Sequence, residues 1–125
     1  MAHVFLYGTL MRGHDAHRAL GLPTALAYVG DACIAGRVYR VADYPGLCLG
    51  SGEAWGELFR IVDPAVLARM DAYEDCDPDT AGGPEYARRL VQVPGHAVQA
   101  WTYEYVRPLH REQVVEGKWR VSPSA

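Results

Sequence analysis

The apolar residues of this chain alternate with polar residues more often than they recur at helical spacing. Runs of the kind that form strands cover residues 4–7, 26–41, 53–62, 86–93 and 97–106. Gly30 and Gly36 interrupt the second run, which is therefore either two strands or one long strand bent at a glycine. Only residues 15–20 and 64–74 have helical spacing. We therefore predict an α+β fold whose mostly antiparallel sheet curls into a small mixed β-barrel flanked by short helices.

Turn-forming residues separate these runs. Residues 43–46 read Asp-Tyr-Pro-Gly and predict a turn, and the glycine-rich segment 47–52 is expected to be irregular. Asp63 and Pro64 form an N-cap and a first helical position, which places the start of the second helix at Pro64. The acidic segment 75–85 contains two glycines and two prolines and predicts a loop. Pro94-Gly95-His96 predicts a hairpin between the last two strands.

The first strand ends in a glycine followed by a small hydroxyl residue. Gly8 and Thr9 follow the apolar run Val4 to Tyr7 directly. A sharp turn at this point would direct successive backbone N–H groups outward and form a cradle for a carboxylate or a phosphate. The same two residues are equally consistent with a simple turn that ends the strand, and four residues do not distinguish these interpretations.

Glu74 stands in the apolar stripe of the second predicted helix. The stripe is formed by Val66, Leu67, Met70 and Tyr73, and Glu74 lies four residues after Met70, while Asp71 lies at the edge. A carboxylate that faces a core loses solvation, and the negative end of the helix dipole acts in the same direction. Both effects raise the pKa of Glu74 from about 4.3 towards neutrality, where a carboxylate works as a general acid or base. The alternative is that the last helical turn frays and Glu74 points into water.

Composition excludes several classes of protein. A chain of 125 residues predicts a single domain over residues 1–125, and twelve basic against fifteen acidic residues give a net charge of −3. This balance predicts no nucleic-acid partner. No apolar run is long enough to span a membrane, and the N-terminus has no signal-peptide pattern. The three isolated cysteines do not form a disulfide framework and predict a cytoplasmic protein.

Four common motifs of cofactor, nucleotide, metal and redox sites are absent from the sequence. It contains no GxGxxG, P-loop, HExxH or Cys-x-x-Cys pattern. His14 and His17 could share a helix face, but no third ligand is near them in sequence, so we predict solvated histidines rather than a metal site. We expect neither a metal nor a cofactor.

An ordered set of short segments nevertheless resembles a known family. These segments are VFLYGTL at 4–10, YPG at 44–46, GELFRI at 56–61, MDAYE at 70–74, YARR at 86–89, AWTY at 100–103 and the closing GKWR at 117–120. In this order they resemble the gamma-glutamylcyclotransferase-like family, in the AIG2-like branch related to gamma-glutamylamine cyclotransferase. The resemblance extends from residue 3 to about residue 120.

The resemblance implies an activity and a site. Family members cyclise a gamma-glutamyl group to 5-oxoproline and release an amine, with no cofactor. The glutamate that matches Glu74 is the catalytic acid and base, and the residue that matches Tyr86 borders the site. The loop that matches Tyr7, Gly8, Thr9 and Leu10 binds the α-carboxylate and α-amine of the substrate, and we add Met11 and Arg12 to the predicted binding residues.

Two readings without catalysis remain. The barrel could be a binding module for a small amine or an amino-acid derivative, or the scaffold of an interaction protein. A carboxylate on a core-facing stripe favours the enzyme, because it gives a scaffold no advantage. We expect a small-molecule gamma-glutamyl substrate, no membrane partner, and a monomer or weak homodimer. The leaving amine stays open, because the loop 75–85 varies among family members.

Overall fold

The computed structural model describes residues 2–79, 81–110 and 112–120. Five strands in these ranges form one sheet: β1 (His3–Leu6), β2 (Leu26–Arg40), β3 (Pro45–Ile61), β4 (Tyr86–Val93) and β5 (Val98–Tyr105). Their order across the sheet is β2-β3-β1-β5-β4, and only the contacts of β5 with β1 and with β3 are parallel. The α+β class and the mostly antiparallel sheet are thereby confirmed. The expected barrel is a minor error, because β2 and β4 remain edges and the strongly bent sheet does not close.

β1 lies in the middle of the sheet, where both of its faces are buried. Val4 and Leu6 pack in the cluster that contains Met70 and Tyr103, whereas Phe5 and Tyr7 pack in the cluster on the opposite face. This position explains why the first strand is continuously apolar instead of alternating. It also brings the residues that follow β1 to the centre of one edge of the molecule.

β2 and β3 form a long antiparallel hairpin. The second run is one strand, Leu26–Arg40, with irregular register between Tyr28 and Gly30 and between Ala35 and Gly36. The sequence prediction for β3 was wrong, because the strand begins at Pro45 and includes residues 47–52. Gly46 is required by packing and not by a turn: a Cβ atom there would lie 2.8 Å from the ring of Tyr105 on β5.

Three short helices cover one face of the sheet. They are α1 (Asp15–Ala19), α2 (Leu22–Ala25), which the sequence did not predict, and α3 (Val66–Glu74). The two residues before α3 form a turn, in which the Asp63 carboxylate accepts a hydrogen bond from Ala65 N–H at 3.0 Å. Val66 and Met70 are buried, but Tyr73 is 44% exposed, so the predicted apolar stripe does not include it.

The closing segment, residues 112–120, returns to the hairpin. Val115 N–H donates to Val38 O at 2.7 Å, and Arg40 N–H donates to Gln113 O at 2.8 Å. The indole of Trp119 is buried, with the guanidinium of Arg40 stacked 4.2 Å from the ring centroid. Among the described helices, none has the length and apolar character needed to cross a membrane.

Candidate active site

A cavity of about 310 Å³ opens where the loop after β1 meets the end of α3 and the first residues of β3 and β4. Its wall contains backbone from the loop, five tyrosines and two carboxylates. The lining residues are Phe5, Leu6, Tyr7, Gly8, Thr9, Leu10, Tyr44, Pro45, Tyr73, Glu74, Glu85, Tyr86 and Tyr103. No lysine, arginine or histidine is among these described residues, so the hydrogen-bond donors of the wall are backbone N–H groups and hydroxyls.

Glu74 is the last residue of α3, and its carboxylate lies on the cavity wall. Within the described ranges the carboxylate makes no hydrogen bond or ion pair with another residue. Loss of solvation on burial, with a further contribution from the negative charge of Glu85, raises the pKa of Glu74 to about 8. The carboxylate is therefore available in both protonation states near neutral pH, as a group that accepts and returns a proton must be.

The loop after β1 presents unused hydrogen-bond donors. Met11 N–H donates to Gly8 O at 3.1 Å and closes a tight turn, but no described residue accepts a hydrogen bond from the N–H groups of Gly8, Thr9 or Leu10. Thr9 Oγ1 lies 2.7 Å from the hydroxyl of Tyr73, which ties the loop to α3. Three successive free N–H groups beside a cavity are the arrangement that binds a carboxylate.

Gly8 allows the loop to approach β3 closely. A Cβ atom at this position would lie 2.8 Å from Cγ and 3.2 Å from Cδ of Pro45. The φ angle of Gly8 is not among the positive values of the chain, so space, and not backbone conformation, requires glycine here.

Two tyrosine hydroxyls hold the wall together. Tyr7 Oη donates to Tyr103 O at 2.6 Å and accepts from Leu47 N–H at 3.1 Å, so it joins β5 to β3. Tyr86 Oη donates to Pro45 O at 2.5 Å. Burial, and then the charge of Glu74, raises the pKa of both hydroxyls well above the ordinary value. Both tyrosines therefore remain neutral and shape the cavity.

The second carboxylate of the wall belongs to Glu85, which directly precedes β4. The hydroxyl of Tyr44 donates a short hydrogen bond to Glu85 Oε2. This bond and burial raise the pKa of Tyr44 to about 12. Glu85 is fixed by its backbone as well, since its N–H donates to Asp75 O at 3.1 Å and its carbonyl accepts from Val106 N–H at 2.9 Å.

The structure brings together six of the eight site residues that the sequence predicted: Tyr7, Gly8, Thr9, Leu10, Glu74 and Tyr86. Met11 and Arg12 do not line the cavity, and their assignment to the binding residues is corrected. Met11 is buried in the hydrophobic core, because the turn at Gly8 directs it inward. The guanidinium of Arg12 lies behind the loop, paired with Glu57 at 3.2 Å and stacked on Tyr28.

Sequence reasoning missed the residues that reach the cavity from distant elements: Tyr44, Pro45, Tyr73, Glu85 and Tyr103. A signal did exist for one further group. Glu57 alternates in phase with Phe59 and Ile61, and an acidic residue in such a position indicates a buried carboxylate, as it did for Glu74. Asp71, at the edge of the stripe, is held outside the cavity by Tyr103 Oη at 2.7 Å and Arg88 Nε at 3.2 Å.

The described residues contain no group of three or more His, Cys, Asp or Glu side chains arranged to hold a metal ion. The two histidines of the first predicted helix have different environments. His14 immediately precedes α1, whereas His17 is buried and its Nδ1 lies 2.7 Å from Leu10 O. The expectation that both are solvated is therefore wrong for His17.

Comparison with known proteins gives one consistent result. Residues 4–121 match the family described as Gamma-glutamyl cyclotransferase, AIG2-like. The Gamma-glutamylcyclotransferase family protein YtfP of Escherichia coli (strain K12) is 36% identical over 118 residues, which cover 93% of this chain and 94% of that protein. The solution structure of protein ytfP from Escherichia coli superposes with a TM-score of 0.66 over 92% of both chains, at 36% identity. The Gamma-glutamylaminecyclotransferase of Mus musculus is 29% identical over 126 residues, covering 82% of this chain and 77% of that protein.

Proposed function

The chain belongs to the gamma-glutamyl cyclotransferase, AIG2-like family, and on this premise we propose that it cyclises the gamma-glutamyl group of a small molecule to 5-oxoproline with release of an amine. The observation that carries the proposal is the position of Glu74. Its carboxylate lies unpaired on the wall of a cavity of about 310 Å³, with a pKa of about 8, facing the same space as the donor loop.

The reaction is an intramolecular aminolysis. The α-amine nitrogen of the substrate attacks its own γ-carbonyl carbon, a new C–N bond closes a five-membered lactam, and the original amide C–N bond breaks. One proton leaves the attacking nitrogen and one proton is gained by the departing nitrogen, so a single group that accepts and then donates a proton balances the step. Glu74 has this role, and neither an oxidant nor a cofactor is required.

Binding of the α-carboxylate follows from the charges of the cavity wall. The wall has two carboxylates and no basic side chain among the described residues, so a substrate anion cannot form an ion pair there. The free N–H groups of Gly8, Thr9 and Leu10 are the available donors. Holding this end of the substrate in place folds the gamma-glutamyl group towards the reacting geometry, which accelerates ring closure.

The substrate is expected to be a gamma-glutamyl amine, amino acid or peptide. The name of the mouse relative, Gamma-glutamylaminecyclotransferase, favours an amine. A panel of gamma-glutamyl amines, amino acids and dipeptides, assayed for 5-oxoproline by mass spectrometry, would identify the leaving group.

The test of the mechanism is Glu74→Gln, which preserves side-chain shape and removes proton transfer. General acid–base catalysis contributes roughly 10²–10⁴-fold, so kcat on the best substrate of the panel should fall by about that factor. Glu53→Gln is the matched control, because Glu53 is exposed on β3 and does not line the cavity. Equal turnover by wild type and Glu74→Gln would exclude the mechanism. Binding of 5-oxoproline without turnover of any panel compound would instead favour a binding module.

A further inference from the structure

A cluster of charged side chains around one buried carboxylate contacts the donor loop and is not part of the cavity. At its centre is Glu57 of β3, whose side chain is only 4% exposed. Lys118 Nζ from the closing segment lies 3.1 Å from Glu57 Oε2 and 3.0 Å from Asp31 Oδ1. Arg12 Nη2 lies 3.2 Å from Glu57 Oε2. A carboxylate so deeply buried is costly unless it is paired and hydrogen-bonded, and Glu57 is both.

The shortest of these contacts involves the backbone of the loop. Arg12 N–H donates to Glu57 Oε1 at 2.8 Å, so one carboxylate oxygen is used by the main chain and the other by the two cations. Two residues earlier, Leu10 O lies 2.7 Å from Nδ1 of buried His17. Buried side chains thus hold the rear of the loop at a main-chain donor and at a main-chain acceptor.

The contacts of Arg12 and Leu10 affect the N–H groups of Gly8, Thr9 and Leu10 because only a few residues separate them. Arg12 N–H is only two residues from the N–H of Leu10, and the intervening Met11 is fixed by its hydrogen bond to Gly8 O and by burial. Rotation of the Arg12 peptide would therefore be transmitted to the donor groups that face the cavity. A cradle made of backbone N–H groups needs such support, because site geometry must be held to about 0.5 Å by surrounding hydrogen bonds.

We propose that Glu57 is a positioning residue for the substrate-binding loop, and that it aims the N–H groups of Gly8, Thr9 and Leu10 by holding the N–H of Arg12. Glu57 does not touch the substrate. Through Lys118 the same carboxylate connects the loop to the closing segment. The substrate named here rests on the proposed function, but the geometry of the loop does not.

Three variants separate positioning from a general contribution to stability. Glu57→Ala removes the acceptor of Arg12 N–H. Glu57→Gln keeps a side chain of the same length with an oxygen acceptor but removes the negative charge. Lys118→Met is the matched control, because it removes the ion pair between Lys118 and Glu57 and leaves the bond between Glu57 and Arg12 N–H intact.

The first measurement is made without substrate. In ¹H–¹⁵N NMR spectra, the amide signals of Gly8, Thr9 and Leu10 should shift or broaden in Glu57→Ala, and much less in Glu57→Gln or Lys118→Met. The second measurement is the affinity for 5-oxoproline, which retains the α-carboxylate. Affinity should fall about tenfold or more in Glu57→Ala, recover in part in Glu57→Gln, and stay within about twofold of wild type in Lys118→Met.

Kinetics provide the third measurement. Because the loop binds the α-carboxylate and also holds the gamma-glutamyl group near the reacting geometry, Glu57→Ala should raise KM by about the same factor and lower kcat as well, whereas Lys118→Met should change neither by more than about twofold. If all three variants lower Tm but leave the loop amides and the affinity unchanged, Glu57 is merely structural and the proposal is overturned. If Glu57→Ala does not fold, the comparison of Glu57→Gln with Lys118→Met decides. The proposal then requires that Lys118→Met changes the loop amide signals and the affinity less than Glu57→Gln does.

The outcome for the proposed function is separate. Wild-type turnover with unchanged loop amides in Glu57→Ala would overturn the positioning role alone. Perturbed amides and weakened 5-oxoproline binding, in a protein that turns over no gamma-glutamyl compound, would support the positioning role and overturn the proposed function.

Discussion

At the scale of single residues, the surroundings of Glu74 favour its neutral form. The ordinary pKa of the group is 4.5, and the folded protein raises it to about 8, chiefly through loss of solvation. The folded state therefore binds this proton more tightly than the unfolded state. Between these two pKa values the wild-type protein must become less stable as the pH rises.

The first prediction follows from that sign. Glu74→Gln has no titrating group at position 74. Its Tm should therefore equal that of wild type near pH 4.5 and exceed it increasingly up to about pH 8, where the difference levels off. Each pKa unit corresponds to about 1.4 kcal/mol, so the plateau should be on the order of a few kcal/mol. Thermal unfolding of both ligand-free proteins over this pH range is the measurement. A Tm difference that does not change with pH would show that Glu74 titrates normally.

The second prediction concerns the pH dependence of the proposed reaction. If ionised Glu74 is the base, kcat/KM should decline as the pH falls below about 8. Glu85→Gln removes the neighbouring negative charge, so the pKa of Glu74 decreases and the acidic limb moves to lower pH. Glu116→Gln, at an exposed position in the closing segment, should leave the limb in place. If the acidic limb of Glu85→Gln lies at the same pH as that of wild type, the charge of Glu85 does not affect the pKa of Glu74, whatever the absolute rate of the variant.

At the scale of structural elements, contacts with β3 and α3 hold the loop after β1 at three points. β3 packs against Gly8 through Pro45, α3 is joined to Thr9 through Tyr73, and Glu57 holds Arg12 N–H from behind. Such loops carry function because a rigid scaffold positions them. The tight contact between Gly8 and Pro45 can be tested by a substitution that adds a single methyl group at Gly8.

The third prediction is that Gly8→Ala weakens 5-oxoproline binding. The new methyl group would lie 2.8 Å from Pro45 Cγ, and the Pro45 carbonyl is bonded to Tyr86, so the loop must move. Overpacking of this kind costs roughly 1–3 kcal/mol, and because the loop relieves it by leaving its binding position, the affinity should fall by about fivefold to 150-fold. Calorimetric titration of the variants should show that Pro45→Ala restores part of the affinity of Gly8→Ala. Additive effects of the two changes would mean that their contact does not set the loop position.

At the scale of the whole molecule, the closing segment completes the core. Trp119 is 2% exposed and packs in the same cluster as Met70 and Phe59, although its Nε1–H has no partner in the described part of the chain. Lys118 adds the ion pairs to Glu57 and Asp31. The last described residues thus pack in the same core cluster as the residues of β1.

The fourth prediction is that Trp119→Ala destabilises the protein strongly. Truncation of a buried tryptophan costs roughly 3–5 kcal/mol, which lowers Tm by about 10 °C or more for a domain of this size. Trp119→Phe should cost less, because it keeps most of the apolar volume and removes an unsatisfied donor. Trp55, which is 39% exposed, provides the control. Equal melting of Trp119→Ala and Trp55→Ala would show that the segment does not belong to the core.

The sequence by itself determined the features that depend on local periodicity. The range of β4 is as predicted, and β1 and β5 agree with prediction to within a residue at their ends, because their apolar patterns are short and bounded by strong turn signals. The end of α3 follows from the apolar spacing, but that spacing left open whether Glu74 points inward or into water. The turn at Gly8 follows from the end of an apolar run, whereas its assignment to the site came from the resemblance to the family.

Only the tertiary structure decided which distant groups share a space. Tyr44 and Glu85 are 41 residues apart and meet at the cavity because β3 and β4 both begin there. Pro45 and Gly46 looked like a turn, but long-range packing against Tyr105 and pairing with β2 extend β3 through them. Arg12 left the predicted site because the buried carboxylate of Glu57, 45 residues away, attracts it. The spacing of side chains along one element carries no information about the charges and surfaces of another element. Those charges and surfaces determine the pKa of Glu74 and the position of the loop.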